Sequence, residues 1–348
     1  MKAISITAPE RIEIIDVPIP ELADDELLIK VAYSGICGTD IGIYGGGLSF
    51  VKSGLIKYPV RIGHEFSGVV EKVGKNVTKF KPGDRVITDN GVSCRHCKAC
   101  LEGRNIECEN MRSLGTVNCW EGSFAEYVKM PEIHTYHLPD SISLEEAAVI
   151  EPVTISQVSL MNAEALEPGK TVLVIGTGPI GLATANLAIS YGAKKVYIAG
   201  RKENKLEIAR AYGAETINVT ETNLIEYIAK VGKVDACIET SGAIGCIEEA
   251  CRCTKKHGTV ALAGFYERPL DGFPIDDFVL SEVKLVGVEG KWIAQDIMNL
   301  IVEGKLDLKP LITHRFSFEE APQVIAEGNT AKYKEKIRMM VHVNPDLV

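Results

Sequence analysis

The chain has 348 residues, of which 46% are hydrophobic and 24% charged, and this balance is typical of a globular protein with about two domains. Its 38 Lys and Arg against 47 Asp and Glu give a formal net charge of −9, which argues against a nucleic-acid partner because phosphate binding needs clustered cations. No run approaches the ~18 apolar residues of a membrane span, so we expect no membrane partner.

The first region, residues 1–152, carries strand signals. "MKAISITAPERIEII" alternates apolar and polar residues and lacks the continuous apolar segment of a signal peptide. Short apolar runs such as "ELLIKVAYSGIC" and "FSGVVEKVG" follow, and turn signals such as Pro82-Gly83-Asp84 separate them. The pattern predicts a mostly β domain in the cytoplasm, where the ten cysteines are thiols or metal ligands rather than disulfides.

Three short stretches of this region offer metal ligands. "GICGTD" contains Cys37 and Thr39, "GHEFSG" contains His64 and Glu65, and "VIEPVT" contains Glu151. One Cys, one His and one carboxylate can form a catalytic zinc site that keeps a coordination position open. Each residue alone has an ordinary alternative, as a core thiol, a hydrogen-bonded imidazole or a surface acid, and spacing alone does not decide between them.

Four further cysteines lie close together in "CRHCKACLEGRNIEC", at Cys94, Cys97, Cys100 and Cys108. Four thiolates can surround one zinc ion tetrahedrally, and such a closed site serves structure because it leaves no position for substrate. Iron–sulfur ligation uses similar spacings and remains an alternative, as do free buried thiols.

After residue 152 strands and helices alternate, which predicts a doubly wound parallel sheet over residues 153–290 and an α/β class overall. The last stretch, 291–348, mixes helix and strand, and we expect it to pack on the first domain. The predicted elements, in chain order, are strand 171–176, helix 179–192, strand 195–200, helix 202–213, strand 234–240, helix 243–254, strand 258–265 and strand 285–290.

"GTGPIG" has the form of the dinucleotide fingerprint, follows an apolar strand and opens a helix. Gly176 would permit the tight turn, Gly178 would let a pyrophosphate approach, and Gly181 would allow close helix packing, with Pro179 and Ile180 between them. A glycine-rich loop without a ligand is the alternative.

The end of the second predicted strand indicates which dinucleotide binds. NAD-specific sites carry an acid there for the ribose hydroxyls, whereas this chain has Gly200 followed by Arg201 and Lys202. Because arginine pairs with a 2′-phosphate, the stretch favours NADP. A solvated basic turn with NAD still bound is the alternative, and Glu203 lies too far along to serve as the acid.

Taken together, these motifs resemble the zinc-dependent medium-chain alcohol and polyol dehydrogenases over essentially the whole chain. The resemblance implies a GroES-like catalytic domain of residues 1–152 and 291–348, a Rossmann domain of 153–290 and an active site between them. It implies two zinc ions per chain, a catalytic one held by Cys37, His64 and Glu151, with Glu65 as a further or adjacent ligand, and a structural one at about 90–110. It also implies a homodimer or homotetramer, for which 270–288 is the candidate contact region.

Within the family, "EP" at 151–152 and "LKPLITHRFSFEEA" at 308–321 resemble the sorbitol and sugar-alcohol branch, whereas "CGTDIGIY" resembles the threonine dehydrogenases. The expected reaction is the oxidation of a secondary alcohol of a polyol, sugar alcohol or sugar-alcohol phosphate, with Thr39 accepting the alcohol proton. A threonine or butanediol dehydrogenase and a non-catalytic NADP-binding protein are the alternatives. The chain departs from relatives at Gly42, Ile43 and around Gly290 and Lys291, near the expected substrate.

Overall fold

The computed structural model describes residues 1–290 and 294–347, and these separate into two compact units. The first contains 1–151 and the described residues of 292–302 and 312–348, and the second contains 152–290 and 303–311. The sequence had assigned all of 291–348 to the first domain. Residues 303–311 cluster with the second unit, in which Asn186 donates to the Asp307 carbonyl at 3.2 Å and Ser190 to the Lys305 carbonyl at 2.6 Å.

The first unit is rich in strands, as expected for residues 1–152. Its strands up to residue 151 are β1 (Lys2–Ala8), β2 (Arg11–Asp16), β3 (Glu26–Ile36), β4 (Val60–Arg61), β5 (Glu65–Val73), β6 (Arg85–Thr88), β7 (Gly91–Val92), β8 (Arg112–Ser113), β9 (Tyr127–Pro131) and β10 (Thr135–His137). Its helices there are α1 (Gly38–Gly45), α2 (Ser49–Lys52), α3 (Lys98–Leu101) and α4 (Leu144–Ala147), with α5 (Ile150–Asn162) beginning in this unit, and 3₁₀ turns lie at Asn105–Glu107 and Glu132–His134.

The second unit alternates strands and helices. They are β11 (Thr171–Ile175), α6 (Pro179–Ser190), β12 (Lys195–Gly200), α7 (Glu203–Tyr212), β13 (Glu215–Asn218), α8 (Leu224–Val231), β14 (Val234–Glu239), α9 (Gly245–Cys253), β15 (Thr254–Leu262), α10 (Ile275–Ser281) and β16 (Lys284–Gly287). The chain ends with α11 (Ala294–Val302), β17 (Ile312–Ser317), α12 (Ala321–Glu327) and β18 (Arg338–His342), and with 3₁₀ turns at Lys309–Leu311 and Ala331–Tyr333.

The main sheet of the first unit is centred on β3, whose sequence "ELLIKVAYSGI" is almost wholly buried. In the described residues the strand order is β10-β6-β5-β3-β18-β17, with β9 also pairing with β3. The pairing of β18 with β3 is antiparallel and places Met340 opposite Gly35. This pairing places the C-terminal strand β18 in the sheet of the first unit.

The sheet of the second unit is parallel throughout, with the order β13-β12-β11-β14-β15-β16 among the described strands. The apolar strand "TVLVI" is buried on both faces, as a central parallel strand must be. Helix α6 begins at Pro179. Helix α7 ends at Tyr212 and is followed by Gly213, whose φ of +100° is a conformation that glycine adopts without strain. The predicted doubly wound sheet is confirmed.

None of the helices in 1–290 and 294–347 combines the length and the apolar character needed to cross a lipid bilayer.

Candidate functional site

Three of the predicted ligands come together in the first unit. Cys37 directly follows β3 and is the N-cap residue of α1, His64 precedes β5, and Glu65 is the first residue of β5. Because β3 and β5 are antiparallel neighbours with Gly35 opposite Glu65, the end of one strand meets the start of the other. One ligand atom from each of the three side chains lies within 4.8 Å of the other two. We call Cys37, His64 and Glu65 the mixed-ligand site.

Asp40 links the two segments that carry this site. Its Oδ2 accepts a hydrogen bond from the Cys37 backbone N–H at 2.8 Å, and its Oδ1 accepts one from the Gly63 N–H at 3.2 Å. Oδ1 also lies 3.8 Å from Nδ1 of His64. Gly63 has a φ of +99°, and a Cβ there would lie 2.7 Å from the backbone nitrogen of Phe124. The start of α1 and the His64 segment are therefore held in one fixed arrangement.

Arg338, on β18, forms a buried ion pair with Glu65. Its Nη1 lies 2.9 Å from Oε1 and 2.7 Å from Oε2 of Glu65, and it donates to the Ile36 carbonyl at 3.3 Å. The two side chains are 4% and 1% exposed. Gly35 leaves the space for this carboxylate, because a Cβ there would lie 2.5 Å from Oε2. The orientation of Glu65 is therefore set by the C-terminal strand.

Glu151 lies beside the mixed-ligand site and is not part of the 4.8 Å group. It is the second residue of α5, and its Oε1 accepts a hydrogen bond from Nδ2 of Asn90 at 2.6 Å. The neighbouring Asp89 accepts a hydrogen bond from the Tyr136 hydroxyl at 3.0 Å. The role of Glu151 as a metal ligand therefore stays a prediction, and Glu65 is the carboxylate that lies with the thiol and the imidazole.

Acidic groups dominate the electrostatics around the mixed-ligand site. Burial raises the pKa of Glu151 to about 7, with the Glu65 carboxylate adding to the rise and His64 opposing it. Burial likewise raises the pKa of Asp40 to about 6. For His64 burial acts in the opposite direction, but the Cys37 thiol and Asp40 outweigh it, and the pKa rises well above its ordinary value. A divalent cation neutralises such an excess of buried acidic donors.

The donor set fits zinc. A thiol, an imidazole and a carboxylate are the usual ligand types of a catalytic zinc, and three of them leave a fourth position open. Nδ1 of His64 is buried without a hydrogen-bond partner in the described residues. The Thr39 hydroxyl lies 3.7 Å from Sγ of Cys37, so a hydroxyl group stands next to the expected metal.

The four clustered cysteines, within a segment we call the cysteine lobe (residues 94–108), form a second group whose ligand atoms lie within 4.8 Å of one another. The Sγ–Sγ distances are 3.4 Å between Cys97 and Cys100, 3.9 Å between Cys94 and Cys100, and 4.0 Å between Cys97 and Cys108. Sulfur atoms around a tetrahedral zinc with Zn–S bonds of about 2.3 Å lie about 3.8 Å apart. The sulfur geometry therefore fits one zinc ion.

Backbone groups support the cysteine lobe. Hydrogen bonding from backbone amides, that of His96 first, lowers the pKa of Cys94 to about 6, whereas burial raises the pKa of Cys108 to about 12. The buried His134 anchors the start of the lobe, since its Nε2 lies 3.1 Å from the Ser93 backbone nitrogen and 2.9 Å from its hydroxyl. Burial, followed by the charge of Arg95, lowers the pKa of His134 to about 4.

In the second unit the fingerprint glycines have distinct geometries. Gly176 has a φ of +112°, and a Cβ there would lie 2.6 Å from Oγ1 of Thr240. A Cβ on Gly181 would lie 2.0 Å from the Gly176 carbonyl oxygen, whereas one on Gly178 would meet open space. Gly178 is also the N-cap residue of α6, which Pro179 begins. The loop can therefore accept a pyrophosphate at the helix N-terminus.

Gly200 ends β12, and its lack of a side chain matters. A Cβ at this position would lie 2.3 Å from Cγ2 of Thr177 in the fingerprint loop. The next residue, Arg201, is exposed and has no carboxylate partner among residues 1–290 and 294–347, and Lys202 is the N-cap residue of α7. The carboxylate of Glu203 pairs with Arg210 instead. The end of β12 therefore presents a cation and no acid.

Sequence reasoning missed Asp40, Asn90 and Arg338. Asp40 carries a detectable signal, since an acid three residues after an N-cap residue commonly accepts a hydrogen bond from its backbone N–H. Arg338 carries another, because it stands in the strand "RMMVH", which is otherwise mostly apolar. Asn90 carries none, because its partner lies 61 residues away.

Two protein-family models match the chain. The model of the alcohol dehydrogenase GroES-like domain matches residues 23–140, and that of the zinc-binding dehydrogenase matches 179–297. Among curated proteins, a sorbitol dehydrogenase from Bacillus subtilis is 32% identical over 99% of this chain and 98% of its own. An L-threonine 3-dehydrogenase from Escherichia coli K12 is 34% identical over 92% of this chain and 94% of its own.

Solved structures agree in fold. A zinc-binding dehydrogenase from Sinorhizobium meliloti, bound to NADP, has a TM-score of 0.88 and 30% identity, and covers 98% of this chain and 99% of its own. An alcohol dehydrogenase from Escherichia coli CFT073, complexed with NADH, has a TM-score of 0.88, 30% identity and 99% coverage of both chains.

Proposed function

The chain belongs to the zinc-dependent medium-chain alcohol and polyol dehydrogenase family, and within it we propose that this enzyme oxidises a secondary alcohol of a polyol, sugar alcohol or sugar-alcohol phosphate to the ketone, reversibly and with NADP favoured. As a member, it uses zinc and a nicotinamide dinucleotide and acts on small-molecule alcohols. The mixed-ligand site with Glu151 beside it carries the proposal, because it combines an open zinc position with a buried carboxylate.

The residues of the site have separable roles. Cys37, His64 and Glu65 would hold the zinc, with Glu151 as a further ligand or as a group facing the substrate. Bound zinc supplies Lewis-acid polarisation of the substrate oxygen. Thr39 would accept the alcohol proton, since its hydroxyl stands 3.7 Å from the Cys37 sulfur. Arg338 fixes the Glu65 carboxylate, as the ion pair described above requires.

The preference for NADP is supported by the end of β12. A Cβ at position 200 would lie 2.3 Å from Cγ2 of Thr177, whereas Arg201 is exposed and lacks an acidic partner in the described residues. Similar structures bind either dinucleotide, so the preference depends on these residues. Arg201→Ala should raise the KM for NADP far more than that for NAD, by roughly ten- to a hundredfold, because a charged hydrogen bond contributes about 1.5–3 kcal/mol. A wild-type enzyme that strongly prefers NAD would refute the preference.

A substrate panel tests the reaction. Zinc-loaded enzyme is assayed with polyols, sugar-alcohol phosphates, 2,3-butanediol and L-threonine, each with NAD and with NADP. We expect the highest kcat/KM for a polyol or its phosphate. Cys37→Ala should be inactive on every substrate. Cys119→Ala, which removes a thiol outside the mixed-ligand site and the cysteine lobe, should remain active. Activity on none of the alcohols, or equal activity in Cys37→Ala, would refute the proposal.

An L-threonine or butanediol dehydrogenase is the second candidate. The relatives that act on threonine are as similar to this chain as those that act on sorbitol. The stretch "CGTDIGIY" favours threonine, whereas Glu151 followed by Pro152 favours polyols. The same panel separates the two, because L-threonine carries an ammonium group that a polyol lacks.

A homo-oligomer is also proposed, with residues 270–288 as the contact between two copies. Helix α10 exposes 59% of Ile275, 64% of Val279 and 72% of Leu280. The neighbouring β16 is an edge strand of the described sheet and can pair with the same strand of a second copy. Leu280→Glu should shift the molar mass in light scattering towards the monomer. Leu101→Glu, which changes an equally exposed leucine of the cysteine lobe, should not.

A further inference from the structure

A fully buried carboxylate lies at the carboxyl edge of the parallel sheet, outside the fingerprint and the zinc sites. Glu239 is the last residue of β14 and is 0% exposed. From β11 the chain builds β12 and β13 on one side, and then β14, β15 and β16 on the other. The strand order therefore reverses between β11 and β14, and ligands of such sheets bind outside the carboxyl ends of the strands at that point.

Both oxygens of Glu239 accept hydrogen bonds from the loops that follow. Oε1 accepts one from the Ser241 backbone N–H at 2.8 Å and another from the Ser241 hydroxyl. Oε2 accepts one from the Gly242 N–H at 3.2 Å and another from the Tyr266 hydroxyl at 2.5 Å. One carboxylate thus joins the loop after β14 to the loop after β15.

The loop after β14 supports the fingerprint directly. The Thr240 hydroxyl donates to the Ile175 carbonyl at 3.0 Å. A Cβ on Gly176 or on Gly181 would lie 2.6 Å or 2.8 Å from the same hydroxyl oxygen. Thr240 therefore packs directly against the two glycines that shape the pyrophosphate loop.

The loop after β15 packs on the loop after β14. A Cβ on Gly264 would lie 2.7 Å from the backbone nitrogen of Gly242, and 3.3 Å from Oε2 of Glu239. Contact this close requires the two loops to keep a fixed position relative to each other. The hydrogen bond from Tyr266 to Glu239 fixes that position.

We propose that Glu239 is a positioning residue for the dinucleotide. It holds the loop after β14 against the fingerprint and, through Tyr266, holds the loop after β15 in place. The inference rests on the dinucleotide-binding function of the second unit. Glutamine cannot replace the carboxylate, because its amide would face either the Ser241 or the Gly242 backbone N–H, and neither donor can rotate away.

Direct binding tests this role. The full-length, zinc-loaded Glu239→Gln variant is titrated with NADPH and with NADH by fluorescence, below the unfolding temperatures of both proteins. We expect the Kd for the preferred dinucleotide to rise on the order of tenfold or more, because hydrogen bonds to a charged group are lost. Tyr266→Phe, which removes one of the donors, should raise it severalfold. In steady-state assays the cofactor KM should rise more than kcat falls.

Glu26→Gln is the matched control. Glu26 is 2% exposed, belongs to the first unit and is paired with Arg95 at 3.3 Å and Lys129 at 3.0 Å. Its variant should lower the unfolding temperature and leave the dinucleotide Kd unchanged.

If wild type binds the dinucleotide and the folded Glu239→Gln variant binds it with the same Kd, the positioning role is overturned and the dinucleotide function of the second unit stands. A wild-type protein that binds neither dinucleotide would overturn the dinucleotide function of the second unit. If Glu239→Gln does not fold, Tyr266→Phe and Ser241→Ala decide the matter, and unchanged Kd values in both would overturn the inference.

Discussion

The cysteine lobe and the mixed-ligand site lie in the same unit and are built differently. The lobe takes all its ligands from residues 94–108, and backbone amides support its sulfurs. The mixed-ligand site takes a thiol from the residue after β3, an imidazole from the residue before β5 and a carboxylate from the first residue of β5. Charged side chains surround it, with Asp40 beside His64 and Arg338 beside Glu65.

This difference shows how one chain separates structure from chemistry. Four thiolates fill a tetrahedral site and leave no position for a substrate, whereas three mixed donors leave one. Buried ionisable groups are costly to stability unless they are paired. Such groups surround the mixed-ligand site, whereas the sulfurs of the lobe have backbone donors instead. We therefore expect variants of the mixed-ligand site to lose activity and variants of the cysteine lobe to lose stability.

The largest effect is expected from removing one ligand of each site. In Cys37→Ala, turnover should fall on the order of a thousandfold or more, because Lewis-acid catalysis contributes several kcal/mol. That variant should keep one zinc per chain and its unfolding midpoint. Cys100→Ser should lower soluble yield and thermal stability instead. Metal analysis, turnover and thermal unfolding are measured for both variants. A Cys100→Ser enzyme with unchanged stability and kinetics would contradict a structural role for the cysteine lobe.

The next effect concerns the buried ion pair beside the mixed-ligand site. In the zinc-free protein, Arg338→Met would leave the buried Glu65 carboxylate without a cation, which should cost about 3–5 kcal/mol of unfolding free energy. Arg315→Met breaks the exposed pair with Glu145, in which Arg315 is 59% exposed, and should cost about 0–1 kcal/mol. Denaturant unfolding measures both. Equal losses would mean that Glu65 needs no buried partner.

A pH series sharpens the description of the lobe through its anchor, His134. Burial lowers the pKa of His134 from 6.5 to about 4, so between these two pH values His134 is protonated in the unfolded chain and neutral in the folded chain. The stability that depends on neutral His134 is present above pH 6.5 and is lost as the pH falls towards 4, by about 3 kcal/mol. As the pH falls from 7 to 4, the unfolding free energy of wild type should converge on that of His134→Gln. Parallel curves would contradict the shift.

The smallest effect tests what holds Glu151. Asn90→Ala removes a hydrogen bond to a carboxylate, worth about 1.5–3 kcal/mol, and should lower kcat/KM roughly tenfold with zinc content unchanged. Asn118→Ala, which removes an exposed amide from the same unit, should leave kcat/KM unchanged.

Variants of Glu151 itself test its role. Glu151→Ala should lose activity on polyols and on simple secondary alcohols, whereas Glu151→Cys should lose more activity on polyols than on simple secondary alcohols. Near-normal turnover in Glu151→Ala would leave Glu65 as the carboxylate that matters.

Local chemistry made much of this architecture predictable. The apolar strand before "GTGPIG" predicted β11, and Gly213 marked the end of α7, because both signals lie within the element they define. The four cysteines of the lobe were recognisable for the same reason, since all of their ligands occur in one short segment.

Features that depend on distant residues were not predictable. Arg338 is 273 residues from Glu65, and only the pairing of β18 with β3 brings the two together. The sequence assigned residues 303–311 to the first domain, whereas they cluster with the second unit, in which Asn186 and Ser190 donate hydrogen bonds to their backbone. In each case periodicity gives no information on which distant partner a polar group will find.

The contact between Gly200 and Thr177 has an evolutionary consequence. Introducing an acidic side chain at position 200 would place its Cβ 2.3 Å from a methyl carbon of Thr177, so the side chain at position 177 must shift or become smaller. The two positions are therefore epistatic, and the order of substitution decides whether a lineage can pass from one to the other. We therefore expect Gly200→Asp to be tolerated better in a Thr177→Gly background than on its own.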